Sequence, residues 1–262
     1  MTTLESILLG IIQGITEFLP VSSSGHLELA QHLLGMSDLH QYIIFDLVCH
    51  LGTLLAIFLI LAPQIKALFT TNRERLYQVM LGTLMLFPLL LIMKPIKATF
   101  DQPEYLGPCF LFTAALLYAG IRFGKVAEPQ ALAKHKWRDA IVIGLFQAIA
   151  ILPGVSRSGS TISGATLLGW NRQEAITFSF LLAILAILGG TTLELLQLIL
   201  KHGYDTMPNV SWEQYLTGFV TSFVVGCGAL LLLMKLAANE RFIYFVWYCL
   251  GLGILTTLYF IV

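Results

Sequence analysis

The sequence predicts an all-α polytopic membrane protein with an inverted-topology repeat. Each half is expected to hold a re-entrant helical hairpin followed by three transmembrane helices. Composition is the first ground: 57% of the 262 residues are apolar, 11% are charged, and the mean hydropathy is +0.81. A soluble domain carries about a quarter charged residues. The second ground is a set of apolar runs near the roughly 20 residues a helix needs to cross the hydrocarbon core. They lie at 41–62, 76–93, 106–123, 175–200, 212–236 and 241–262. The third is a constant shift of 134 positions. It pairs Gly10 with Gly144, Gln13 with Gln147, Val21 with Val155, Ser22 with Ser156, Ser24 with Ser158 and Gly25 with Gly159.

Taken in order, residues 4–35 read as two short helical pieces broken by Pro20 and a serine-rich turn. Neither piece is long enough to span, so the region is expected to enter and leave by one face. The start Met1-Thr2-Thr3-Leu4-Glu5 lacks the basic region and cleavage site of a signal peptide, so the first helix is expected in the mature fold. Three spans then follow. Residues 137–169 repeat the broken pattern around Pro153 and Gly154, and the last three spans close the chain. Non-helical backbone at membrane depth survives only when shielded by protein or lining a wet cavity. Three spans per half is odd, so the second half starts on the opposite face, and such repeats place their sites near the midplane between the halves. One integral membrane domain, 1–262, is expected, with repeats near 1–130 and 131–262.

Formal net charge is zero, which leaves no basic footprint for nucleic acid. Cys49, Cys109, Cys227 and Cys249 fall in apolar runs without paired spacing and read as small buried residues. Lys and Arg set the orientation. With the N-terminus on face one, face two receives Lys66, Arg73, Arg75, Arg122, Lys125, Lys134, Lys136, Arg138, Arg172, Lys235 and Arg241. Face one receives only Lys94, Lys97 and Lys201. Face two is therefore expected in the cytoplasm, with both termini outside.

The two breaks carry the polar groups. Gln13 and Glu17 share a helix face. Ionisable residues at membrane depth are costly and mark functional sites by default. Glu17 can hold a hard divalent cation or serve as a general base; the bland alternative is a structural ion pair with Arg157. Ser22, Ser23, Ser24 and Gly25 open the second short helix, where hydroxyls cap free amides and the same amides cradle phosphate. His26, just inside, is a base or nucleophile candidate. His32 and His50 lack that context and are expected to pack or hydrogen-bond. Arg157 suits planar, bidentate phosphate bonding, with Ser156, Ser158, Gly159, Ser160 and Thr161 as companions. Asp46 and Asp139 suit helix starts, Glu194 has no partner nameable from sequence, and the aromatic residues read mostly as lipid-facing or interfacial anchors. An inverted-repeat secondary transporter or lipid flippase is the competing reading.

The segments Gln13–His26 and Pro153–Thr161 resemble the two signature regions of the BacA-type undecaprenyl-diphosphate phosphatase family. The first carries Glu17 followed by Pro20-Val21-Ser22-Ser23-Ser24-Gly25-His26, and the second Pro153-Gly154-Val155-Ser156-Arg157-Ser158-Gly159. The resemblance extends to Asn171-Arg172, Glu174-Ala175 and Phe178-Ser179-Phe180. It implies a bacterial inner-membrane enzyme that removes the terminal phosphate of undecaprenyl diphosphate, recycles the lipid carrier for peptidoglycan and opposes bacitracin. It also implies a divalent cation, Mg²⁺ or Ca²⁺. Glu17, Ser23, His26 and Arg157 become the core positions, supported by Ser22, Ser156 and Thr161. Many members carry Glu where this chain has Gln13, so Glu17 is the stronger metal candidate. Ser23 is expected to attack the phosphorus while His26 or Glu17 handles its proton. The expected partners are the polyprenyl diphosphate, membrane lipids and, in a homodimer, a second copy of the chain.

Overall fold

The computed structural model describes residues 1–36, 42–90, 102–124, 136–202, 210–238 and 241–261, and its longer elements are all α-helices. Helix α1 (Thr3–Thr16) opens on a capping box. Thr2 Oγ1 accepts from the Glu5 amide at 3.2 Å, and Glu5 Oε2 accepts from the Thr2 amide at 2.6 Å. Helix α2 (Ser23–Leu33) is capped by Ser22, and α9 (Arg157–Leu167) by Ser156. Between them come α3 (Ile43–Ile60), α4 (Ala62–Thr70), α5 (Arg73–Leu84), α6 (Phe87–Leu90), α7 (Leu106–Phe123) and α8 (Trp137–Ile149). The chain continues through α10 (Arg172–His202), α11 (Trp212–Ala238) and α12 (Ile243–Ile261).

Both expected broken regions are indeed pairs of short helices, α1 with α2 and α8 with α9. Among the described residues, five segments are long and apolar enough to cross a membrane: Ile43–Ile60, Pro103–Phe123, Arg172–Leu200, Trp212–Leu236 and Ile243–Phe260. The expected span 76–93 is the exception among the six. α5 stops at Leu84, a turn follows in which Leu86 N donates to Thr83 O, and a four-residue helix starts at Phe87. Pro88 lacks an amide to offer the preceding turn and crowds the residue before it, so a continuous helix breaks there. Residues 91–93 of that run lie outside the described residues, as do 41, 262 and the loop cations Lys94, Lys97, Lys125 and Lys134. The chain also turns at Leu61 into α4, which carries Pro63 in its first turn.

α1 is wedged beside α11 through small residues. A Cβ on Gly10 would sit 2.9 Å from Gly218 O, and one on Gly14 would sit 2.9 Å from both Ser222 O and Val225 Cβ. Glycines four apart let helix backbones approach closely where no water drives association. The core at the centre includes Phe18, Ile143, Phe178, Phe180, Leu182 and Leu230, all essentially inaccessible. Phe18, Phe45, Phe110, Phe178 and Phe180 rank among the most buried side chains, which corrects the expectation of lipid-facing anchors for these five. Phe18 matters for the site because it follows Glu17. Its ring lies 5.5 Å from that of Phe180 and locks the turn after α1 into the core.

Candidate active site

The site forms where the turn 17–22 meets the start of α9. Glu17 is the C-cap residue of α1, and its side chain is 3% exposed. Its two oxygens are addressed differently. Oε1 pairs with Arg157 Nη2. Oε2 accepts from Ser23 Oγ at 2.7 Å and from Gln13 Nε2 at 3.0 Å. The structure thus brings Gln13, Glu17, Ser23 and Arg157 together across 140 positions of sequence. A buried carboxylate needs such a counter-ion and such donors, because desolvating it alone costs several kcal/mol.

The turn itself is clamped. Ser158 Oγ donates to Leu19 O at 3.4 Å, and a Cβ on Gly159 would lie 3.3 Å from Pro20 O. Cys249 Sγ lies 3.9 Å from Pro20 O; all four cysteines are free, and only Cys227 is less than fully buried. Ser22 adopts φ +74°, a left-handed backbone unusual for a residue with a Cβ. That conformation points its carbonyl at His26, whose Nδ1 donates to Ser22 O at 2.6 Å.

The hydroxyls divide into two groups. Ser22 Oγ and Ser156 Oγ cap α2 and α9, accepting from the amides of Gly25 (3.4 Å) and Gly159 (3.0 Å). Ser24 Oγ lies 3.4 Å from Ser22 Oγ on an exposed surface, and Ser158 Oγ lies 3.2 Å from Ser156 Oγ. Ser160 and Thr161 bond within α9 and to α10. Ser160 Oγ donates to Ser156 O at 2.7 Å, and Thr161 Oγ1 lies 2.6 Å from Ser179 Oγ on α10. Gly25 serves packing directly: a Cβ there would stand 2.8 Å from Phe110 Cζ and 2.9 Å from Gly154 Cα.

Several site residues were not picked out from the sequence. His50, expected only to pack or hydrogen-bond, places Nε2 3.6 Å from Glu17 Oε2 while Nδ1 lies 2.7 Å from Asp46 O. Asp46 and His50 stand four apart inside an apolar span, and that shared face was the available signal. Asp46 also accepts from Gln31 Nε2 at 2.9 Å. Tyr248 Oη lies 2.7 Å from His26 Nε2, yet in Phe245-Val246-Trp247-Tyr248 it looks like any interfacial aromatic. Thr113 Oγ1 accepts from the Ser156 amide at 3.0 Å and so ties α7 to the α9 cap. His32 packs against the rings of Tyr259 and Phe260, as expected.

Two orphaned atoms show what the site lacks on its own. Arg157 Nη1 is buried with no hydrogen-bond partner among the described residues, and so is Gln13 Oε1. Unpaired buried polar atoms are rare enough that each demands an explanation. The first can donate to an anion, and the second is a hard oxygen of the kind that can serve a cation. Among the described residues no cluster of three or more His, Cys, Asp or Glu could cage a metal by itself. Gln147, the counterpart of Gln13, has both amide atoms buried and unpaired among the described residues, and Ile151 stands where a second glutamate would fall.

Comparison with known proteins adds an independent finding. Residues 6–255 match the family described as bacitracin resistance protein BacA. An undecaprenyl-diphosphatase of Protochlamydia amoebophila is 57% identical over 260 residues, covering 99% of each chain. Undecaprenyl-diphosphatases of Rhodopirellula baltica (38%, 96% of each chain) and Alkaliphilus metalliredigens (34%, 99% of each chain) are similar along their whole lengths.

Proposed function

This chain belongs to the bacitracin resistance protein BacA family, and from that membership we propose that it is an undecaprenyl-diphosphatase, converting undecaprenyl diphosphate to undecaprenyl phosphate and inorganic phosphate. The observation that carries the reading is the paired Glu17 and Arg157, with Ser23 on one carboxylate oxygen and a free guanidinium nitrogen beside it. Catalysis of phosphoryl transfer is mostly positioning and charge stabilisation, and these groups supply both.

Ser23 Oγ attacks the terminal phosphorus. As the new O–P bond forms, the hydroxyl proton passes to Glu17 Oε2, its hydrogen-bond acceptor at 2.7 Å. The bridging P–O bond breaks and undecaprenyl phosphate leaves. Water then attacks the phosphoserine, Glu17 returns its proton to Ser23 Oγ, and inorganic phosphate is released. Arg157 Nη1 is the donor for the transferring phosphoryl oxygens. Of the two expected proton handlers for Ser23, Glu17 is the better supported, because the contacts of His26 are to Ser22 and Tyr248.

A divalent cation fits this site as one shared with substrate. Glu17 and Gln13 Oε1 would hold it, with phosphate oxygens and water completing the shell, a mode usual for Mg²⁺. Its charge would offset the diphosphate, since Glu17 and Arg157 already neutralise one another.

We also infer an inverted repeat with two re-entrant hairpins. Supporting it, α1 and α8 start 134 positions apart, as do α2 and α9. Contacts are exchanged between halves, α1 packing on α11 and α8 on α5. α9 is buried on every side although five of its eleven residues are hydroxylic, which suits a segment shielded by protein at depth. The bias of Lys and Arg supports both termini and the site facing outward from a bacterial inner membrane.

The test is phosphate release from undecaprenyl diphosphate by purified protein with Mg²⁺ or Ca²⁺, then with excess EDTA, beside Arg157→Ala. Release that needs both the cation and Arg157 is expected. No release by folded protein under either cation overturns the reading and favours the transporter or flippase.

A further inference from the structure

His26 is held at three points. Its Nδ1 is 2.6 Å from Ser22 O, a group that can only accept, so this nitrogen carries a proton. In the neutral ring Nε2 then presents a lone pair, and Tyr248 Oη lies 2.7 Å from it. The two rings stack with centroids 5.6 Å apart at 8°, while Phe110 meets the imidazole edge-on at 5.2 Å. The Nδ1 bond therefore fixes the tautomer, and the hydroxyl on α12 donates to the lone pair left on Nε2.

We propose that Tyr248 is a positioning residue of the phosphatase reaction, donating to His26 Nε2 and so presetting that nitrogen as the proton acceptor for the hydrolytic water. The inference rests on the phosphatase reading above. In the second half-reaction the water oxygen bonds to phosphorus and the Ser23 Oγ–P bond breaks. The water proton goes to His26 Nε2 and from there leaves with the released phosphate, and the proton on Glu17 returns to Ser23 Oγ. Glu17 holds a proton at that stage, so a second base is required, and Nε2 is the imidazole nitrogen not committed to backbone. Tyr248 is 48% exposed, so its hydroxyl can yield that place to water without unpacking the core.

Two variants test this in nanodiscs: Tyr248→Phe, which removes only the hydroxyl, and Tyr248→Leu, which removes the ring as well. Turnover is read together with the ¹⁵N shifts of labelled histidine, with His26 assigned through His26→Gln. Tyr248→Phe is expected to keep the wild-type melting temperature and KM while losing about tenfold in kcat, the scale of one hydrogen bond. The His26 Nε2 signal should also shift as its lone pair loses the Tyr248 hydrogen bond, while Nδ1 stays protonated against Ser22 O. Wild-type kcat in Tyr248→Phe with loss only in Tyr248→Leu would assign the residue to packing and overturn the proposal. So would a kcat loss that leaves the His26 signals unmoved. If wild-type protein releases no phosphate, the phosphatase reading fails first. The nitrogen spectra of Tyr248→Phe then report separately on whether the tyrosine hydroxyl donates to Nε2.

Discussion

At the scale of single residues, Glu17 and Arg157 constrain one another, and their substitutions should separate stability from chemistry. Glu17→Gln removes the base and leaves a guanidinium buried without its counter-ion. Breaking a buried pair this way costs about 3–5 kcal/mol, so the variant should melt earlier in detergent as well as lose turnover. Ser23→Ala removes one half-buried hydroxyl and should leave melting nearly unchanged while lowering kcat by about a thousandfold or more, the loss typical of a removed nucleophile. If Ser23→Ala turns over normally while His26→Ala does not, serine is not the nucleophile. Much of this chemistry was legible in the sequence, because a glutamate, an arginine and clustered serines in apolar surroundings have few purposes other than a site. Tyr248 and His50 were not legible as site members. Their roles depend on which helix face meets α1 and α2, and a single tyrosine among lipid-facing aromatics carries no mark of that.

At the scale of elements, the helix caps made boundaries readable and the interior breaks did not. Ser22 and Ser156 each start a short helix by accepting an amide three residues on, so the shift of 134 held to the residue for α2 and α9. Within apolar runs hydropathy is blind to a bend, so the end of the run 41–62 agrees with the helix end at Leu61, whereas the break at Pro88 inside 76–93 does not show. The α1–α11 contact gives this scale its prediction. Gly14→Ala would press a methyl group to 2.9 Å from Val225 Cβ and Ser222 O and 3.0 Å from Gly226 N. Backbone atoms of a packed helix cannot yield as a flexible side chain does, so the expected loss is about 1–3 kcal/mol, read as a lower melting temperature. Gly189→Ala, where nothing stands within 4 Å of the added carbon, is the matched control and should melt like wild type. Equal melting of all three proteins would mean that α1 is not held closely against α11.

At the scale of the whole molecule, partners are exchanged between halves, and the site is asymmetric because the paired positions differ, Glu17 against Ile151 and Ser23 against Arg157. α1 of the first half packs with α11 of the second, and α8 of the second packs with α5 of the first, so neither half closes its core alone. Their two serine turns meet in the middle, one bringing Glu17 and Ser23 and the other Arg157. This arrangement predicts where the ends of each hairpin lie. If α1 and α2 enter and leave by one face, cysteines placed at Thr2 and at exposed Leu33 share the outer side. Asn72 and Arg138, both exposed, share the inner side. In a protein whose four native cysteines are replaced, a membrane-impermeant maleimide applied to intact spheroplasts should label Thr2→Cys and Leu33→Cys. It should label Asn72→Cys and Arg138→Cys only after lysis. Labelling of Thr2→Cys without Leu33→Cys would make α1 and α2 a crossing pair and defeat the re-entrant reading. The inverse pattern at all four positions would keep the hairpin but turn the site toward the cytoplasm. An outward site requires substrate to be met on the outer leaflet, so phosphate released by intact spheroplasts should appear in the medium before lysis.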